Sequence, residues 1–133
     1  MKTRALVLGV VVGLLVASQV TQADELRQRG YFKSANNDRV FTVEISPDVM
    51  SEAAQAHGAR LPYTPGQMTT AYYYVSGSTI PVDGVTRAKN LLEVNRVLYD
   101  VPGLSPWAFT YQRSRNGEAV FVDCRSGAVD LCR

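Results

Sequence analysis

An uninterrupted apolar run over residues 5–17 follows two basic residues at the start of the chain. The run has the length of the apolar part of a secretory signal, and it is shorter than the roughly 20 residues that span a bilayer core. An imperfect small-x-small pattern ends at Ala23, where a signal peptidase would cut. The sequence therefore predicts a secretory signal peptide over residues 1–23 and a single folded domain over residues 24–133.

An uncleaved N-terminal anchor is the main alternative to a cleaved signal. Adding Ser18 to Val20 extends the apolar stretch to about 16 residues, which approaches the length of a membrane segment. A buried core helix is a second alternative, although a uniformly apolar core helix at a chain terminus is unusual. We expect cleavage, which makes the protein periplasmic or secreted. Membrane contact is then expected only through the N-terminal segment, if that segment is not removed.

Two cysteines, Cys124 and Cys132, lie near the end of the sequence. An even pair of cysteines in an exported protein predicts a disulfide, whereas a redox pair has C-x-x-C spacing at the start of a helix. The chain-entropy model assigns about 2.5 kcal/mol to closing a loop of roughly nine residues. We expect this disulfide to tie the C-terminal tail back onto the strand that precedes it.

The formal charge of the predicted domain is zero. The net charge of +2 comes from Lys2 and Arg4, because all twelve acidic residues and the other twelve of the fourteen basic residues lie after Ala23. Nucleic-acid-binding domains need a concentrated basic face to contact phosphates. The charge balance therefore excludes nucleic acid as the expected partner.

The predicted elements follow one another in the order β-α-β-α-β-β. The strands are predicted from β-branched and aromatic residues, the helices from capping residues and helical apolar spacing, and the last turn from Asn116-Gly117. The polar stretch 24–38 is assigned no element. We expect an α+β domain, with a mainly antiparallel four-stranded sheet, two helices packed on one face, a C-terminal β-hairpin and a disulfide-closed tail. The predicted strands are 39–45, 68–75, 107–113 and 118–124, and the predicted helices are 47–57 and 85–99.

Aromatic residues are concentrated in two of the predicted strands. Alternate residues of a strand point to opposite faces, so one set of rings in each strand shares a side. If those rings face outward on neighbouring strands, they form a flat aromatic surface of the kind that binds proteins or sugars. The alternative, which we favour for so small a domain, is that the rings fill the core between sheet and helices. The candidate binding residues are Tyr72, Tyr74, Trp107, Phe109 and Tyr111.

Catalytic and metal-binding motifs are not evident in the sequence. His57 is the only histidine, and its position at a helix C-terminus, where the helix dipole stabilises a cation, favours capping or packing over catalysis. A single histidine without a free cysteine supplies neither a zinc ligand set nor a cysteine nucleophile with its base, and we expect no metal or cofactor. Paired carboxylates carry no local signature, so they are harder to exclude. The carboxylates considered are Glu44, Asp83, Asp100 and Asp123.

These observations together favour a non-catalytic binding module that contacts a protein partner in the bacterial envelope. A glycan is the second kind of ligand that an aromatic surface would suit. One alternative is a small exported hydrolase that uses His57 or carboxylates in a concave pocket. Another is a subunit of an envelope assembly, retained by an uncleaved N-terminal helix. An exposed aromatic patch would favour the binding module over both alternatives.

Overall fold

A computed structural model describes residues 25–126 and 131–132, and the predicted signal at residues 1–23 lies outside these described residues. Five strands form one sheet in chain order, with β2 and β3 parallel and the other three pairings antiparallel. No helix of the described segments has the length and apolar character needed to cross a membrane. The strands are β1 (Leu26–Lys33), β2 (Arg39–Ile45), β3 (Thr69–Val75), β4 (Phe109–Arg113) and β5 (Ala119–Asp123), and the helices are α1 (Ser51–Ala59), α2 (Asp83–Thr86) and α3 (Leu91–Asp100).

The α+β class, the C-terminal hairpin of β4 and β5, and the disulfide are confirmed. The sheet has five strands instead of four, because the polar stretch 24–38 contains β1. This strand lies at one edge of the sheet, and only Gly30 and Phe32 of its eight residues are buried. An edge strand with so few buried residues lacks the apolar alternation by which strands are predicted from sequence.

The single helix predicted over residues 85–99 is two helices in the structure. Helix α2 ends at Thr86, and Asn90 caps the N-terminus of α3. The Asn90 Oδ1 accepts a hydrogen bond of 2.9 Å from the backbone N–H of Glu93. The Glu93 carboxylate in turn accepts from the backbone N–H of Lys89 at 2.7 Å. This reciprocal arrangement is a variant of the capping box, and it fixes where α3 begins.

The first helix begins at Ser51, later than predicted. Ser46 and Pro47 form part of a turn, which is closed by a 3.1 Å hydrogen bond from the Val49 N–H to the Ser46 carbonyl. The residue that precedes the helix is Met50, which provides no side-chain cap. The Ser-Pro-Asp sequence therefore starts a turn before the helix and not the helix itself.

Helices pack on both faces of the sheet, not on one face as expected. The face covered by α1, here called the α1 face, holds a core that includes Ala54 from α1 and Tyr73 from β3. The opposite face, here called the α3 face, holds a second core that includes Val85 from α2 and Leu98 from α3. Central strands covered on both faces are apolar at nearly every position, which explains how three consecutive tyrosines in β3 are all buried.

Sequence alternation predicts that Trp107 lies on the same side of the sheet as the aromatic residues of β4. In the structure it lies on the opposite side. Phe109 and Tyr111 belong to the core of the α1 face, whereas Trp107 belongs to the core of the α3 face. The strand begins only at Phe109, and Ala108 also packs toward the α1 face. The alternation is therefore interrupted just before β4, and the indole turns to the opposite face.

Candidate functional site

The exposed aromatic surface that the binding-module hypothesis predicted is not formed by the five candidate residues. All five side chains are at most 8% exposed and contribute to the two cores, so the prediction of that hypothesis that Tyr72 or Tyr74 lies in an exposed patch is wrong. The rings fill the space between sheet and helices, as the favoured alternative proposed. The five buried candidates are Tyr72, Tyr74, Trp107, Phe109 and Tyr111.

Trp107 organises the α3 face. Its ring centroid lies 4.6 Å from that of Tyr72, 6.3 Å from that of Tyr74 and 5.2 Å from that of Tyr99. Its Nε1–H donates a hydrogen bond of 2.9 Å to the backbone carbonyl of Leu131. A buried indole N–H needs such an acceptor, so the C-terminal tail completes the polar contacts of this aromatic cluster.

The disulfide holds that tail in place. Cys124 follows β5 directly, and its bond to Cys132 fixes the residue next to Leu131. Cys124 also packs against the core of the α3 face. The disulfide therefore positions both the carbonyl that pairs with Trp107 and the Leu131 side chain.

A cleft of about 370 Å³ opens beside this cluster on the α3 face. Its size falls within the range of pockets that bind small molecules or single side-chain groups. Strands β2, β3 and β4 form the floor, helix α3 forms one wall, and the residue before β3 and the C-terminal tail contribute the remainder. The cleft is lined by Val40, Met68, Thr70, Tyr72, Leu91, Asn95, Tyr99, Thr110, Gln112 and Leu131.

None of the ten lining side chains carries a formal charge. Thr70 and Thr110 are buried in the floor, and the Thr110 hydroxyl donates to the carbonyl of Ala71 at 3.2 Å. Burial, with Tyr99 beside it, raises the pKa of Tyr72 well above its ordinary value, so this hydroxyl stays neutral. Because burying an unpaired charge is costly, the cleft suits uncharged groups that form hydrogen bonds.

Exposed apolar side chains lie in the lining of the cleft and next to it. Leu92 and Tyr99 lie seven residues apart and therefore on one side of α3, while Leu131 lies on the tail. Val120 is the cross-strand partner of Gln112, which lines the floor. These four side chains, here called the rim, are between 42 and 59% exposed. Exposed apolar side chains that lie close to one another are typical of interaction surfaces.

His57 lies away from this cleft, on the α1 face. Its Nδ1 lies 2.9 Å from the hydroxyl of the buried Tyr73. Burial, and to a smaller extent the neighbouring Arg60 cation, lower the pKa of His57. His57 therefore packs against the core of the α1 face, and its environment favours the neutral imidazole over the cation.

The candidate carboxylates have separate structural environments. Glu44 pairs with Arg29 at 2.7 Å and with Arg27 at 3.5 Å, and the hydrogen bond from Arg29 holds the pKa of Glu44 below its usual value. Asp123 accepts a 2.9 Å hydrogen bond from the backbone N–H of Arg125. Asp83 begins α2 and Asp100 ends α3.

Neither a carboxylate nor His57 lines the cleft on the α3 face. Across residues 25–126 and 131–132, no three His, Cys, Asp or Glu side chains are grouped so that they could hold a metal ion. The arrangement of the cleft is suited to binding by hydrogen bonds and apolar contact.

The polar residues of the cleft were not predicted as site residues. A signal for them exists in β4, where Thr110 and Gln112 alternate with Phe109 and Tyr111. Such alternation indicates a strand with one polar side. Asn95 carries no comparable signal, because an exposed asparagine on a helix is ordinary.

The chain matches no protein family model, no curated protein and no solved structure. No activity, ligand or partner is therefore carried over from a relative. The geometry of the cleft and its rim is the basis for assigning a function.

Proposed function

We propose that the protein is an exported, non-catalytic binding module that contacts a protein partner in the bacterial envelope through the α3 face. The observation that carries this proposal is an uncharged cleft with two exposed apolar side chains in its lining and two more on the adjoining parts of α3 and β5. The signal pattern of residues 1–23 and the disulfide support export, because disulfides persist mainly in oxidising compartments.

The composition of the rim favours a protein partner over a glycan. Leu92, Val120 and Leu131 are aliphatic, and such side chains contribute binding energy mainly against other apolar surface. Protein interfaces combine apolar contacts with a limited number of hydrogen bonds. The rim supplies the apolar contacts, and the hydroxyl and amide groups of the cleft supply the hydrogen bonds. A sugar, whose surface is mostly hydroxyl, would leave much of this apolar rim without a partner.

Tyr99 is the residue that we expect to contribute most to binding. Tyrosine is enriched among the few interface residues that carry most of the binding energy. The Tyr99 ring packs edge-on against Trp107, so it is already ordered before a partner arrives. An ordered ring loses little conformational entropy on binding, which favours affinity.

The chemistry of the cleft supports a non-catalytic role. General acid–base catalysis needs a titratable group within hydrogen-bond reach of the substrate. The titratable groups among the cleft residues are the hydroxyls of Tyr72 and Tyr99, and burial keeps that of Tyr72 protonated. A hydrolase mechanism based on His57 or carboxylates therefore gains no support from this cleft.

Capture of the partner from envelope extract tests the proposal when two matched variants are compared. Tyr99→Ser removes the ring at the rim, and Met50→Ser removes a more exposed apolar side chain just before the N-terminus of α1. Loss of an interface residue of this kind costs about 2 kcal/mol, or roughly 30-fold in affinity. We expect one stoichiometric partner that is retained by the wild type and by Met50→Ser and is lost from Tyr99→Ser. Equal capture by all three proteins, or capture by none, contradicts the proposal.

Export is tested by the intact mass of the protein recovered from the envelope fraction. We expect the mass of residues 24–133 with one disulfide, because a signal peptidase removes residues 1–23. A protein that retains these residues supports the alternative of an N-terminal anchor.

A further inference from the structure

The two edges of the sheet differ in how they are protected. Edge strands expose backbone N–H and C=O groups that can pair with another chain, and proteins commonly block them with charges, bulges or covering elements. In this sheet the edges are β1 and β5. The contrast between these two strands indicates how a partner binds.

Strand β1 is blocked in three ways. Its pairing with β2 is interrupted by a register shift between Gln28 and Gly30, which is the mark of a β-bulge. Arg27 and Arg29 place exposed charges on the same strand. Helix α2 lies against it, and the backbone N–H of Tyr31 donates to the Thr86 hydroxyl at 3.3 Å.

Among the described residues, strand β5 has neither a bulge nor a covering helix, and the one charged residue within it, Asp123, lies at its end. Its pairing with β4 continues without a register shift over all five residues. The four residues Ala119–Val122 are uncharged and include no proline, and the first two are exposed. Three of these four residues are of types favoured in strands, so the free side of β5 presents a regular, apolar edge.

We propose that an extended segment of the protein partner adds to β5 as a sixth strand. This inference rests on the proposed function and specifies how the partner binds. Val120 belongs both to β5 and to the rim, so a strand added here lies beside the cleft on the α3 face. Alternate side chains of the added strand then face the rim, while backbone hydrogen bonds hold the segment in register.

The charges around β5 define the partner segment. Acidic residues bound the apolar stretch, with Glu118 before it and Asp123 at its end. The ion pairs within residues 25–126 and 131–132 include Asp123, with Arg125, but do not include Glu118. We infer that the segment is apolar over about four residues and carries a basic residue opposite Glu118, because opposite charges across strands stabilise pairing.

A second copy of the chain fits this edge less well. Pairing of two β5 strands in either direction places four carboxylates, Glu118 and Asp123 of each copy, along one seam to which residues 118–123 contribute no basic side chain. Like charges close together across strands are destabilising. The acidic ends of β5 therefore favour a basic partner over self-association.

Short peptides titrated into the ¹⁵N-labelled protein, produced from its full 133-residue chain, test the inference by NMR. The probe is acetyl-Lys-Val-Val-Val-Val-Lys-amide, and its matched control has Glu in place of both Lys residues. We expect amide shifts in residues 118–124 and none in β1, with about threefold tighter binding of the Lys peptide. Shifts in β1, no shifts in β5 at millimolar peptide, or equal affinity for the two peptides would overturn it.

Two variants that each add one lysine to an exposed edge position provide the control. Val120→Lys places the charge on β5, and Gln28→Lys places it on β1. We expect at least tenfold weaker binding of the Lys peptide by Val120→Lys, with unchanged binding by Gln28→Lys and unchanged circular dichroism for both. Equal binding by the two variants contradicts the inference. If the envelope partner no longer binds Tyr99→Ser but binds Val120→Lys normally, the inference of a sixth strand is wrong and the proposed function stands.

Discussion

The two faces of the sheet are covered in different ways. On the α1 face, one short helix packs over a closed core in which His57 and Tyr73 pair with each other. On the α3 face, two helices and the disulfide-held tail pack around Trp107, and they leave a cleft beside it. If the proposed function holds, the difference means that this domain assigns stability to one face of the sheet and recognition to the other.

The largest expected effect is on the α1 face. Phe109 is fully buried there and packs against Tyr73 and Phe121. Replacing it by alanine leaves a cavity, and such substitutions cost about 3–5 kcal/mol. We expect Phe109→Ala to lower the free energy of unfolding by this amount in urea denaturation. A loss below about 1 kcal/mol would show that the α1 face is not the tightly packed one.

Removal of the disulfide is expected to affect both stability and the α3 face. In the double variant Cys124→Ser/Cys132→Ser, the free energy of unfolding should fall by about 2.5 kcal/mol, because the unfolded chain is no longer constrained. The carbonyl of Leu131 is also released from the indole of Trp107. We expect the indole N–H signal to shift in NMR spectra and partner binding to weaken. Unchanged binding would mean that the tail is not part of the site.

The smallest expected effect is the pH dependence of the α1 face. Burial lowers the pKa of His57 in the folded state, so the unfolded state binds a proton more readily. The contribution of this residue is fully present above the unfolded pKa of about 6.5, and it is lost as the pH falls through the lower, folded pKa. We expect wild-type stability to decrease between pH 7 and pH 5 more steeply than that of His57→Gln. Parallel stability curves for the two proteins would contradict this.

Much of the fold was predictable from local sequence signals. The bounds predicted for β2 agree with the structure, and those for β3 differ by one residue, because these strands are rich in β-branched and aromatic residues. The hairpin of β4 and β5 follows from its turn residues. Strand β1 was not predicted because an edge strand needs no apolar alternation. The break between α2 and α3 was not predicted because it depends on the cap formed by Asn90 and Glu93.

The site was less predictable than the fold. Sequence alternation places Tyr72 and Tyr74 on one side of β3, but it does not tell whether a helix covers that side. The cleft exists because α3 begins at Leu91 and lies over only part of the floor formed by Thr70 and Thr110. That placement is a tertiary property, and no local pattern encodes it.

Photo-crosslinking in living cells tests the central claim, that recognition belongs to the α3 face. A photoreactive amino acid is placed at Leu92 on the rim or, as the matched control, at Ala56 on an exposed position of α1. We predict a single crosslinked adduct from position 92 and none from position 56. An adduct from position 56, from both positions or from neither would contradict the separation of the two faces.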